Sequence, residues 1–257
     1  MRLETGIAAA LLAASAAPAH TAPICTDRPT KANATCTVPA NSWQVESSAV
    51  QWLRLKQGGS ESETLSIGAT VVKLGLTDRS DLQIGFTPLV RVTTNGDHLS
   101  GFGDVLVRYK HRLTAADKPI QVAIIPFVKL PTAMTGIGND KVEGGVAMPV
   151  SFTLVGPVMA TFGPELDVLA DADGRGRHAA IVQLVNLSAA VAPRLTLIGE
   201  LWASWNFDPD GIVRQASADV AAAYAVSERL QLDAGANVGL NRATADVELY
   251  AGASIRF

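Results

Sequence analysis

The most regular feature of the chain is the alternation of apolar and polar positions from Ala245 to Phe257. Every second residue of this stretch is apolar, and all of its charged residues lie at the positions between. Successive side chains of a β-strand point to opposite faces, so the pattern predicts a strand with one apolar face. Strands of soluble proteins usually have about 5 or 6 residues, whereas a tilted membrane-spanning strand needs about 9–11. The stretch is therefore typical of a strand that crosses a membrane.

Similar alternating segments recur along most of the chain. Their connections alternate between short turns, near residues 78, 116, 156, 193 and 228, and mostly longer polar loops. Short turns at one end, longer loops at the other and an even strand number are typical of outer-membrane barrels. We therefore predict an all-β fold, a transmembrane antiparallel up-and-down β-barrel of about 12 strands over residues 42–257. The predicted strands are Ser42–Arg54, Thr64–Leu74, Asp81–Val92, Asp104–Leu113, Pro119–Leu130, Val142–Leu154, Val158–Leu169, His178–Val191, Leu195–Asn206, Gln215–Val226, Leu230–Leu240 and Ala245–Phe257.

Two places interrupt this alternation. In the eighth predicted strand, one parity turns Gln183 toward lipid and the other turns Asn186 and Ser188 toward lipid, a conflict that a β-bulge would resolve. Lys73 also breaks the parity of its strand. Because Lys73 lies near a turn, we expect its side chain to reach the membrane interface.

The N-terminus has the features of an export signal. A run of small and apolar residues from Gly6 to Ala17 follows Arg2, and Ala17 and Ala19 occupy the positions that a signal peptidase recognises. We therefore expect residues 1–19 to be a cleaved signal peptide. The mature protein is then expected in the cell outer membrane of a Gram-negative-type bacterium.

Residues 20–41 form a polar lead-in to the first strand. They contain the two cysteines of the chain, Cys25 and Cys36. In an oxidising compartment, two neighbouring cysteines are expected to form a disulfide. A metal site would need further ligands that this region does not offer, so we assign no metal here.

Composition narrows the classes of function. Hydrophobic residues make up 48% of the chain, charged residues make up 18%, and the formal net charge is -3. A nucleic-acid-binding protein normally has a basic excess, so we expect no nucleic-acid partner. After the signal, no segment has the roughly 18 consecutive apolar residues of a transmembrane helix, so in a membrane the chain must satisfy its backbone in a closed barrel surrounded by lipid.

The charged residues predicted to face the barrel lumen separate by sign. Basic residues lie on the third to fifth strands, and acidic residues lie on the seventh and on the ninth to twelfth. Opposed walls of this kind would orient dipolar solutes, so we hypothesise a lumen with a charge-polarised constriction. Twelve strands give an intermediate width, so the walls could instead pair across a filled core. The basic wall is Arg91, Arg108, Lys110, Arg112 and Lys129, and the acidic wall is Glu165, Asp167, Glu200, Asp219, Asp233 and Glu248.

No residue is assigned to catalysis, to a cofactor or to a metal. Nucleophilic catalysis would need a Ser-His pair with an orienting group, but His98 lies in a predicted loop, and His111 and His178 lie at strand ends. Neither Gly-x-Ser-x-Gly nor His-x-x-x-His occurs. We therefore predict a protein that is not an enzyme and needs no cofactor. A hydrolase built from residues distant in sequence is a less favoured alternative.

Three short segments resemble a known family. They are Gly75–Arg79, Gly101–Val105 with the following Tyr109-Lys110, and Pro126–Thr132. They look like segments of the outer-membrane family labelled "Putative MetA-pathway of phenol degradation", and the resemblance covers most of the mature chain. It implies a transporter-like barrel for the passive uptake or efflux of small molecules, with aromatic or apolar compounds as candidate solutes. It implies no catalytic residues.

The C-terminal residue carries a second resemblance. Phe257 ends the last strand, and such a terminal aromatic resembles the C-terminal assembly signal of outer-membrane barrels. This implies the barrel assembly machinery as a partner. The alternative to a channel is a structural or adhesive barrel with a filled core, which would not conduct ions.

Overall fold

The computed structural model describes residues 24–257, so the predicted signal peptide lies outside the described residues. The described chain forms β-strands joined by turns and loops, and no helix within it is long and apolar enough to cross a membrane. The strands are β1 (Trp43–Gln57), β2 (Ser60–Thr77), β3 (Ser80–Phe86), β4 (Leu89–Thr94), β5 (Asp97–Gly101), β6 (Val105–Arg112), β7 (Ile120–Leu130), β8 (Glu143–Ala147), β9 (Val150–Val155), β10 (Val158–Phe162), β11 (Glu165–Ala170), β12 (Arg177–Ala192), β13 (Leu195–Asn206), β14 (Val213–Ser227), β15 (Leu230–Gly239) and β16 (Val247–Arg256).

These segments make twelve passes of a closed antiparallel barrel, which confirms the predicted fold class. Eight passes are single strands, and the other four are each split into two segments: β3 with β4, β5 with β6, β8 with β9, and β10 with β11. Every strand pairs antiparallel with its neighbours, and the last strand, β16, pairs with β1 to close the sheet. Closure leaves no long edge of unpaired backbone groups, which a lipid environment would penalise.

Proline explains three of the four interruptions. β4, β9 and β11 each begin directly after Pro88, Pro149 and Pro164, respectively. Proline has no backbone N–H to donate across the sheet, so the ladder breaks where it stands. The breaks are bridged by bonds such as that from the Gly103 N–H to the Thr87 carbonyl, at 2.9 Å.

The prediction that residues 93–103 form a loop between strands is wrong in part. β4 continues to Thr94, and β5 returns from Asp97 as a hairpin whose tip is Asn95-Gly96. Both tip residues have positive φ, 50° and 97°, as the tight hairpin turns preferred by Asn-Gly require. The polar composition of this segment conceals its pairing, because Asp97–Gly101 lacks a regular alternation of apolar residues.

The outer surface is apolar and the inner surface is polar. Large hydrophobic side chains alternate along the strands and remain more than a third exposed, which suits a surface covered by lipid. In β12 the register with β13 is continuous from Ala180 to Ala190, so no bulge is present there. Asn186 and Ser188 line the interior and Gln183 points outward. Of the two parities considered for the eighth predicted strand, the one that turns Gln183 toward lipid is therefore correct. The outward set includes Leu166, Val168, Ile181, Leu187, Leu201, Val220, Leu232, Val238 and Leu249.

The seam between β1 and β16 contains the C-terminus. The Phe257 N–H donates to the Trp43 carbonyl at 2.8 Å, and the Phe257 side chain is exposed. This position leaves the aromatic ring accessible at the end of the barrel where β1 begins and β16 ends. Its recognition by the assembly machinery stays a prediction.

The lead-in to β1 is fastened to the barrel at Gly75. The Gly75 carbonyl accepts from the Asn41 N–H at 2.9 Å, and the Gly75 N–H donates to the Ser42 carbonyl at 3.0 Å. A Cβ at residue 75 would overlap the backbone carbonyl groups of Pro39 and Val38. Only glycine allows this close approach of two backbones.

We therefore expect Gly75→Ala to destabilise the folded barrel by about 1–3 kcal/mol, the usual range for overpacking a tight site. The matched control is Gly199→Ala, because a Cβ at residue 199 has no neighbouring atom within 4 Å. The measurement is the urea midpoint of unfolding in detergent, and the gel mobility of the folded barrel monitors the unfolding. Equal midpoints for the two variants would contradict the proposed close approach.

Candidate functional site

The described part of the lead-in, residues 24–41, enters the barrel and crosses its interior. Cys25 and Cys36 are joined by a disulfide, so the segment between them forms a closed loop within the lumen. Side chains of this loop contact strands on opposite sides of the barrel, because Asp27 bonds Lys110 on β6 and Lys31 bonds Asp219 on β14. The interior is therefore neither an open pore nor a core filled only by the strands.

Asp27 ties the lead-in to the basic side of the lumen. Its two carboxylate oxygens accept from the ammonium groups of Lys73 and Lys110, each at 2.6 Å. Both lysine side chains are about 1% exposed. Lys73 is also paired with Glu46 at 2.5 Å, and Arg108 lies 4.0 Å from Asp27. The Asp27 carboxylate thus pairs with both buried lysines, and Glu46 adds a second carboxylate beside Lys73.

Arg28 and Lys31 tie the same loop to the acidic side. The Arg28 guanidinium donates to both carboxylate oxygens of Asp233, at 3.1 and 2.5 Å, and also bonds Ser48. The Lys31 ammonium lies 2.6 Å from the Asp219 carboxylate and 5.4 Å from the centre of the Trp202 ring. The lead-in therefore presents charges opposite in sign to each wall that it meets.

Backbone groups of the lead-in complete this attachment. The N–H groups of Lys31 and Ala32 donate to the two oxygens of Glu200, at 3.1 and 3.0 Å. Glu200 also accepts from the Asn186 amide at 2.9 Å, and that amide donates to Thr30 at 3.0 Å. A carboxylate that receives several hydrogen bonds is satisfied in a partly dry interior.

Strand register explains why the acidic residues form a wall. The residues are Cα partners across neighbouring strands, and the side chains of a row of partners share one face of a sheet. The row runs from Asn186 through Glu200, Asp219 and Asn237 to Glu248. Glu248 is held by the Asn237 amide at 2.7 Å and by Gln51.

The other predicted acidic residues flank this row. Asp233 binds Arg28, as described above. Glu165 and Asp167 line a cavity of about 340 Å³ beside Lys31, and one oxygen of Asp167 is buried without a hydrogen-bond partner among the described residues. All six residues of the predicted acidic wall thus face the interior.

The predicted basic wall is only partly assembled. Arg108 bonds Asn33 of the lead-in, and Lys110 bonds Asp27. Arg112 lies at the turn end of the same strand, where its guanidinium donates to the Asp78 carbonyl at 3.1 Å. Lys129 lies at the loop end and pairs with Asp104 and Glu143, at 3.1 and 3.0 Å.

Arg91 was wrongly assigned to the basic wall. It is the Cα partner of Leu65, which is in turn the partner of Trp52, so the three side chains share the outer face. The parity changes because β3 and β4 are separated at Thr87-Pro88 and because β1 and β2 are irregular at Ala49 and Gly68. Alternation counted across such irregularities assigns the wrong face.

The expectation for Lys73 was also wrong. Lys73 points into the lumen and not toward the membrane interface, and it binds Asp27 and Glu46. The sequence signal that could have identified it is the spacing in β1, where Gln44, Glu46 and Ser48 form a polar face. Lys73 is the Cα partner of Gln44, so it belongs to that inner face.

Cavities lie on both sides of the lead-in. Two, of about 340 and 360 Å³, include residues near the loops, such as Leu169 and Asn206 in the first and Asp104 in the second. A third, of about 200 Å³, includes Thr196 and Gln231, which lie close to the turns. Lead-in residues contribute to all three cavities. The segment therefore divides the lumen into compartments on its two sides.

Solved structures with the same fold are outer-membrane barrels. An outer membrane channel from Pseudomonas putida F1 is 16% identical, with a TM-score of 0.70, and the match covers 87% of this chain and 98% of that chain. The NanC porin is 10% identical, with a TM-score of 0.55 and coverage of 83% and 98%. The translocator domain of the autotransporter NalP from Neisseria meningitidis is 12% identical, with a TM-score of 0.51 and coverage of 86% and 90%. At these identities the likeness establishes the fold alone.

Family membership rests on a sequence comparison. A search of curated proteins finds no match. The model of the family described as "Putative MetA-pathway of phenol degradation" matches residues 26–257, which include the lead-in from Thr26 as well as the whole barrel. This agrees with the resemblance of the three short segments. The chain therefore belongs to this family of outer-membrane β-barrels.

Proposed function

We propose that this protein is a channel of the Gram-negative outer membrane for the passive uptake or efflux of small molecules, with the lead-in as a plug at its constriction. The observation that carries the proposal is the division of the lumen by a segment held at both walls through its own charged groups. The longer loops would face the outside of the cell, as is usual for such barrels. Movement through the lumen then requires the plug to shift.

The cavity walls support a class of solute. The cavity of about 340 Å³ combines Glu165 and Asp167 with apolar side chains of Val182, Leu184 and Trp202. Binding sites for small molecules usually combine an apolar lining with a few polar groups that orient the ligand. We propose small aromatic or apolar compounds that carry a polar group, a class that also agrees with the family description.

The plug could shift without unfolding the barrel. Its contacts with the walls are ion pairs and hydrogen bonds, several of them from its backbone, and it adds no strand to the sheet. Such pairs weaken when water and salt reach them. The disulfide keeps residues 25–36 together as one body, so the loop would move as a unit.

A filled structural or adhesive barrel is the second candidate. The same plug favours it, because ion pairs to both walls could hold the lumen closed permanently. The two functions differ in ion conductance. In a planar bilayer, a structural barrel would show no ion conductance, either as the wild type or as a variant of the plug or walls.

Arg28 and Lys31 are the cations of the plug that pair with the acidic wall. In single-channel recordings, we expect the double variant Arg28→Ala, Lys31→Ala to spend severalfold more time open than the wild type. The open state should also favour cations, because Asp233 and Asp219 lose their partners and face the lumen uncompensated.

The matched control for this pair is Lys118→Ala, Arg175→Ala, which removes the same charge from exposed positions in a turn and a loop. Folding and insertion are verified by gel mobility before recording. Silence from both variants, with protein shown to be inserted, would reject the channel and favour the structural barrel.

The polarised walls should set the ion selectivity of the open channel. Arg108→Gln removes a positive charge from the constriction, and Glu165→Gln removes a negative charge. The reversal potential in a salt gradient should therefore shift in opposite directions, toward cation selectivity for Arg108→Gln and toward anion selectivity for Glu165→Gln. Shifts of the same sign would contradict the separation of charge across the lumen.

A further inference from the structure

Three chemically distinctive residues meet where two loops leave the barrel. Asp171 directly follows β11, His178 is the second residue of β12, and Asp208 lies in the loop after β13. No short metal-ligand spacing connects them in the sequence, so the pattern of residues predicts no metal there. The hairpin and strand pairing bring the loops 171–176 and 207–212 together, and the Ala172 N–H donates to Asp208 at 2.8 Å.

The distances among the three side chains resemble those of a metal site. The His178 Nδ1 atom lies 2.8 Å from Asp171 Oδ1 and 3.6 Å from Asp208 Oδ2. One potential ligand atom from each residue lies within 4.8 Å of the other two. Zinc binds imidazole nitrogen and carboxylate oxygen at about 2.0–2.2 Å, and a tetrahedral arrangement at that distance separates ligands by about 3.3–3.6 Å. The side chains would need only small adjustments.

The charge at this site is not compensated by a basic side chain. Among residues 24–257, the ion pairs formed by Asp171 and Asp208 involve only His178. The nearby cations are engaged elsewhere: Arg177 donates to the Val142 carbonyl, and Lys141 donates to the Gly174 carbonyl. Two carboxylates therefore converge on one imidazole nitrogen, an arrangement that a divalent cation would stabilise.

Burial and orientation distinguish this cluster from an ordinary acidic surface. The His178 side chain is only 5% exposed, and its Nε2 atom has no hydrogen-bond partner within the described chain, so Nδ1 alone orients the ring. The backbone N–H groups of Asp210 and Ala172 orient the Asp208 carboxylate, and the bond from Asp210 helps to hold the pKa of Asp208 below its usual range. Supporting contacts of this kind are typical of metal ligands.

We propose that Asp171, His178 and Asp208 bind a divalent transition metal ion, with Zn²⁺ as the ion of best fit, and that the ion clips the two loops together. One nitrogen and two oxygen ligands suit Zn²⁺ or a neighbouring transition metal, whereas Ca²⁺ and Mg²⁺ prefer oxygen ligands alone. Three protein ligands leave a coordination position for water. The site lies at the loop end of the barrel, apart from the charged constriction.

The test is a titration of the folded barrel in detergent with Zn²⁺ by calorimetry. We expect one Zn²⁺ per chain, and at least a tenfold loss of affinity in His178→Gln and in Asp171→Asn. The matched control is Asp173→Asn, which removes an exposed carboxylate from loop 171–176 but not from the cluster. This control should keep the wild-type affinity. Gel mobility verifies that every variant is folded.

A second measurement tests the clip itself. Hydrogen exchange should slow in loops 171–176 and 207–212 together when Zn²⁺ is added, and this change should be absent in His178→Gln. Unchanged Zn²⁺ affinity in His178→Gln would assign the ion to another site and overturn the proposal. Tighter binding of Ca²⁺ than of Zn²⁺, or no binding of Zn²⁺ by the wild type, would also overturn it.

Discussion

The buried pairing of Asp27 with Lys73 and Lys110 is the interaction on which the interior of this barrel depends. Two ammonium groups about 1% exposed cannot remain charged in a dry interior without a partner. Lys73 has a partner on the strands themselves, Glu46 of β1. The carboxylate that bonds Lys110 is Asp27, which belongs to the lead-in. Removing one partner of a buried pair typically costs about 3–5 kcal/mol. The lead-in is thus part of the folded interior and not an appendage.

The same arrangement connects the fold to permeation. Lead-in charges of both signs meet walls of the opposite sign, so the segment has one favourable position across the lumen. Ion pairs of this kind fix orientation more than they add stability, because desolvation offsets much of the attraction. A plug held in this way can be specific in its position and still be displaced by water, salt or a solute. In the proposed channel, charge in the lumen would serve both closure and selectivity.

The sequence carries enough information for the barrel but not for its contents. Alternation over long segments predicts the strands, because one face of each strand contacts lipid and the other faces the lumen. It assigns Arg91 to the wrong face, because the irregularities at Gly68 and Pro88 change which residues of the strands face outward. It misplaces Lys73, because the pairing of Lys73 with Gln44 of β1 cannot be read from the alternation. The entry of Asp27 and Arg28 into the lumen depends on contacts with residues as distant as Asp233, which no local pattern encodes. The meeting of Asp171 and Asp208 likewise follows from strand pairing.

The measurement that tests the central claim most directly is the single-channel record of Asp27→Asn beside that of Asp117→Asn. Asp117 is an exposed residue of a turn, so the control removes the same charge without touching the lumen. The account predicts that folded Asp27→Asn opens more often than the wild type, because Lys73 and Lys110 no longer hold the lead-in. The control should match the wild type. Identical records for the two variants would contradict the role of Asp27 as the fastening of the plug.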